Sequence, residues 1–126
     1  MKNVAFYFFT AAVLCAAAGM IWGVQMSISR DHSLSMAHAH LSLVGWTTLG
    51  LFSLYYTVTP DADGTVLSRI HLAIAVAGVV SLVPGIALVL TGGTPLLAVA
   101  GSLLTVTSML IFLVTVTRNG IGPKPA

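Results

Sequence analysis

The stretch "SLSMAHAHLSLVGWTTLGLFSLYY", Ser33 to Tyr56, carries two histidines near its head, His38 and His40, and no charged residue from Leu41 onward. A helix rises 1.5 Å per residue, so about 20 apolar residues cross the hydrocarbon core of a bilayer. The segment therefore reads as a membrane span over about 36–58. Three further runs have the same character, over about 4–26, 70–90 and 96–116. The polar stretches "SISRDHS", "TPDADGTVLSR" and "TGGTP" separate them. Connections this short make neighbouring helices antiparallel. The expected fold is all-α, an integral membrane four-helix bundle forming one domain over 1–126. The tail "RNGIGPKPA" is polar, with Gly and Pro, and reads as frayed.

Composition agrees with a lipid environment. Of 126 residues, 57% are hydrophobic and 6% charged, whereas soluble chains are about 25% charged. A net charge of +2 is too small for a nucleic-acid footprint, so no nucleic-acid partner is expected. The basic residues carry orientation instead. Lys2, Arg69, Arg118 and Lys124 fall on one side and Arg30 on the other. Both termini are then expected in the cytoplasm of a bacterial-type inner membrane. The first run is longer than a signal-peptide core and starts on a single Lys2, so it reads as a retained span. Cys15, the one cysteine, excludes an intrachain disulfide and reads as a small buried hydrophobe.

On a helix, residues i and i+2 lie about 200° apart. His38 and His40 therefore face nearly opposite flanks of one helix and cannot converge on one ion. Each must find a separate partner. An ionisable side chain inside a span is a site hypothesis by default. Neutral imidazole ligates haem iron, copper and zinc alike. The alternative is a neutral ring hydrogen-bonded to a nearby carbonyl or water.

The segment "AHAHLSLVGW" followed by "LGLFSLYY" resembles the second span of small four-helix membrane proteins related to subunit I of the haem-copper oxidases. That subunit has twelve helices in three arcs of four, and its tenth helix carries an H-x-H whose rings serve two haems in adjacent pores. The resemblance implies a homotrimer in which His38 of one protomer and His40 of the next hold a b-type haem. Histidine-held copper or zinc is the alternative cofactor. It also implies electron transfer, with a redox protein or a quinone as partner. A free iron position would favour gas binding instead, and an accessory bundle without cofactor is the third reading. The oxidase's additional copper-ligand histidines, and the tyrosine linked to one of them, have no counterpart here, which argues against oxygen reduction.

Several positions are candidates around the pair. Ser42, Gly45 and Ser53 lie near the His38 face. Gly45 either admits a porphyrin close to the backbone or permits tight helix packing. Trp46 either lines the pocket or is core. Arg30 and His32 sit at the level of haem propionates, where the Arg fork suits carboxylates, or they are solvated loop residues. Met20, Met26 and Met36 read as packing or as thioether ligands. "GMIWG", Gly19 to Gly23, is a small-xxx-small helix contact pattern. His71 starts the third span about 30 Å away and reads as an interfacial or helix-start histidine. Pro84 should kink the third span. Asp61 and Asp63 look like a plain turn, without the ligand count of a calcium loop.

Overall fold

A computed structural model describes residues 3–126. The described chain is helical between short connections: α1 (Val4–Ser29), α2 (Ser35–Val58), α3 (Val66–Leu90) and α4 (Leu96–Asn119). All four are long and apolar enough to cross a membrane, as a multi-pass membrane protein requires. Lys2 lies outside the described residues. Helices α1 and α3 begin where a polar side chain serves the unpaired backbone N–H groups of a helix start. Asn3 caps α1 by accepting the Phe6 N–H at 3.0 Å. Thr65 caps α3 by accepting the Ser68 N–H at 3.0 Å. That cap starts α3 ahead of its apolar run, so Arg69 and His71 belong to the helix. Arg30 ends α1 in the left-handed region, φ 57°, a position glycine usually fills.

One element departs from the expected geometry. Within α2, Leu41–Thr48 is a π-helix, beginning directly after His40. Thr48 Oγ1 donates to the Leu43 carbonyl, five residues back, at 2.8 Å. The wider turn shifts the angular phase between the histidines and the lower half of α2. Such segments are frequent at functional sites.

The chain ends meet at one face of the bundle, here the terminal end. Asp63 Oδ1 accepts the Val4 N–H, Thr59 Oγ1 the Gly122 N–H and Asp61 Oδ2 the Lys124 N–H, each at 3.0 Å. Tyr55 Oη donates to the Gly120 carbonyl at 2.7 Å. The tail expected to fray is therefore tied down. The turn expected to be plain anchors both ends of the chain through its two carboxylates. These partners lie 59 to 65 residues apart in sequence, so no local pattern announces them.

Between apolar helices in lipid, cohesion comes from close packing and hydrogen bonds, since lipid tails are as apolar as leucine. The α3–α4 hairpin shows the first. A Cβ on Gly101 would run into the Leu82 backbone, and one on Gly85 into the Ala98 backbone. Helix α3 continues unbroken through Pro84. Gly101→Val must push the hairpin apart, at about 1–3 kcal/mol, the usual cost of overpacking. Gly50→Ala is the control, because its Cβ would meet only Ala12 Cβ at 4.0 Å. Thermal unfolding in detergent should separate the two variants, with Gly50→Ala near wild type.

The second source of cohesion is a buried aromatic box at the terminal end. Phe8 of α1, Phe52 and Tyr56 of α2 and Phe112 of α4 surround His71 of α3. His71 has no exposed surface. His71 is near the start of α3, as the helix-start reading has it; its burial, on the face of α3 that meets all three other helices, is what the sequence did not indicate.

Candidate cofactor groove and the histidine pair

Both rings of the H-x-H pair sit at the opposite end of α2 from Tyr56, about 25 Å away along the helix. They take different partners. His38 turns to α1, where its Nε2 hydrogen-bonds the Gly19 carbonyl at 2.9 Å. The Trp22 ring meets it edge-on, centroids 5.8 Å apart. Gly23 leaves the space: a Cβ there would lie 3.3 Å from His38 Nε2. Gly23 thus leaves the room that His38 takes, while a Cβ on Gly19 would meet Ser42 Oγ at 3.5 Å. His40 bonds within its own helix, Nδ1 to the Met36 carbonyl at 2.8 Å. Its Nε2 has no hydrogen-bond partner among the described residues.

Each hydrogen bond fixes a tautomer, because a carbonyl can only accept. His38 carries its proton on Nε2 and His40 on Nδ1. His40 therefore presents the Nε2 lone pair and His38 the Nδ1 lone pair. Within one chain both rings are engaged by main-chain oxygens, the alternative noted for a neutral interfacial histidine. No group of three or more His, Cys, Asp or Glu able to hold a metal ion occurs among the described residues.

Beside His38 runs an apolar groove of about 560 Å³ between α1 and α2, bounded by Gly19, Gly23, Met20, Ser42 and Trp46. Its size is in the range of small-molecule and cofactor sites. Trp46 is 42% exposed, so it is a groove wall and not core. Ser42 Oγ donates back to the His38 carbonyl at 3.2 Å.

The remaining candidates lie elsewhere. Gly45 is buried under Cys15, whose Sγ and Cβ would stand 2.8 Å from a Cβ at that position. It is a helix contact outside the groove lining. Ser53 is buried and donates to the Ala5 carbonyl at 2.7 Å. Met26 is buried, while Met20 and Met36 are exposed. Arg30 and His32 are exposed in the α1–α2 connection. Next to them, Asp31 accepts the Ser33 N–H at 3.0 Å, and this bond holds its carboxyl below the usual carboxylate value.

Sequence reasoning missed Trp22 as a partner of His38 and missed the buried Tyr56–His71 pair. Tyr56 Oη and His71 Nδ1 are 2.9 Å apart. With the tyrosine donating, Nε2 of His71 carries the proton and has no conventional partner. The rings of Phe52 and Phe8 are its nearest aromatic neighbours, with centroids 4.5 and 5.0 Å from that of His71. Tyr56 and His71 are 15 residues apart on different helices, and periodicity gives no signal for the pair. Comparisons with family models, with curated proteins and with solved structures return no match for this chain.

Proposed function

We propose that the chain is a membrane-embedded b-type haem-binding protein working in electron transfer, assembled as a homotrimer. In this reading His38 of one protomer and His40 of the next hold the haem. The observation that supports it best is the state of His40. Its Nδ1–H is held by the carbonyl one turn back and its Nε2 lone pair is left without a partner. Histidines that ligate metals characteristically use the second ring nitrogen in this way.

The residues fit such a group only as halves of a site. One chain supplies one imidazole to each flank of α2, so two imidazoles on one haem would require two chains. Cyclic symmetry then repeats the site around a closed ring with no ligand left over. His38 must exchange its bond to Gly19 for the iron if Nε2 is the ligating nitrogen. The groove beside it offers apolar walls, with Gly19 and Gly23 leaving room close to the α1 backbone. Haem, when bound, supplies one-electron exchange at iron. Two imidazoles saturate the metal, which favours electron transfer over gas binding. The chain's own contribution is to orient the rings and keep water from the metal.

Arg69, Arg118 and Lys124 belong to the terminal end and Arg30 to the other. The positive-inside rule then assigns the termini to the cytoplasm of a bacterial-type inner membrane. The haem would lie toward the outer leaflet. A redox protein or a quinone is the partner class. A second reading, an accessory bundle without cofactor, is favoured by one observation: both rings already have main-chain partners. An optical spectrum of protein purified from haem-replete cells separates the two readings. A strong Soret band with sharp reduced α and β bands supports bis-histidine haem. A colourless preparation supports the accessory bundle and rejects the haem reading.

A further inference from the structure

A small cavity lies between α2, α3 and α4, below the histidine pair and above the aromatic box. It has about 10 Å³ of room, and Thr48, Thr105 and Ser108 line it among apolar neighbours that include Phe52 and Ala75. That is about the room one water takes. Ser108 is 3% exposed, and its hydroxyl has no hydrogen bond among the described residues. An unpaired hydroxyl beside a void of this size is a place where a water can supply the missing partner.

The two threonines have complementary needs. Thr48 Oγ1 donates to the Leu43 carbonyl and Thr105 Oγ1 to the Gly101 carbonyl, each at 2.8 Å. Their protons are committed, and their lone pairs remain. Ser108 still has its proton to give. One water can accept from Ser108 and donate to both threonines, making about three hydrogen bonds, the usual number for a buried water. We infer that the cavity is a binding site for a single structural water, which bridges the π-helical segment of α2 to α4 through Thr48, Thr105 and Ser108.

The bridge has a mechanical consequence. Thr48 is the last residue of the π-helix, and lower in the bundle α4 meets α2 through the aromatic contacts of Phe112 and the Tyr55 hydroxyl on the Thr115 carbonyl. The water ties the irregular segment to a regular helix at the level where α2 changes phase. The site is independent of whether haem binds.

Radiolytic hydroxyl labelling of the full-length protein in lipid nanodiscs tests it. A side chain is labelled well only when water stands beside it. Phe52 lines the cavity and is 3% exposed, and Phe8 is fully buried in the same aromatic box without lining the cavity. The expected result is labelling of Phe52 several-fold above Phe8, falling to the Phe8 level in Ser108→Val, which fills the space and removes the donor. Equal labelling of the two phenylalanines in wild type would overturn the inference. So would strong Phe52 labelling that Ser108→Val leaves unchanged. The wild-type comparison stands even if the variant does not fold.

Discussion

Alanine at His38 or at His40 is expected to strip haem from every site of the assembly, not from half of them. In the proposed trimer each site takes one ring of each type, so three chains of one variant would lack the same ring type at all three sites. The loss should be read as disappearance of the Soret band at unchanged protein yield. An intermediate result is also informative. If His38→Ala kept full haem while His40→Ala lost it, His40 would be the sole ligand and the iron would have a free position. That outcome would convert the electron-transfer reading into a gas-binding one. The structure gives reason to look for this asymmetry. His40 has its Nε2 lone pair already available, whereas His38 must first leave the Gly19 carbonyl.

The second large effect is expected at the other end of the bundle. His71→Ala empties the centre of the aromatic box and leaves the Tyr56 hydroxyl without its acceptor. Truncating a large buried ring costs about 3–5 kcal/mol, and an orphaned buried hydroxyl adds about 1–3 kcal/mol. Phe8, Phe52, Tyr56 and Phe112 come from three helices and all meet this one ring, so no single neighbour can refill the space. His71→Phe should fall between alanine and wild type, because it restores volume but not the acceptor. Thermal unfolding in detergent orders the three proteins. A melting point for His71→Ala equal to wild type would mean that the box does not hold the helices together.

The four helices were legible because each apolar run is long and bounded by polar residues. Their boundaries were legible to within a turn except at α3, where Thr65 caps a polar first turn that hydropathy excludes. The divergence of His38 and His40 followed from helical spacing alone, and the rings do take separate partners. What they bond to did not follow. Gly19 is 19 residues from His38, and the GxxxG pattern announces a helix contact without naming the residue it admits. The π-segment was invisible because no residue type demands it. The burial of His71 did not follow either, because its azimuth depends on three helices that sequence does not arrange. Long-range hydrogen bonds likewise turned a presumed plain loop, Asp61 to Gly64, into the clasp of the terminal end.

The shared site has a direct test in complementation. His38→Ala and His40→Ala chains, each without haem when expressed alone, are co-expressed and purified together. Every mixed ring of three contains one boundary where an intact His38 faces an intact His40, so random mixing should restore about a quarter of the wild-type Soret absorbance per chain. Recovery at that level is the predicted result. A co-expressed protein as colourless as either variant alone would contradict a haem held between neighbouring chains.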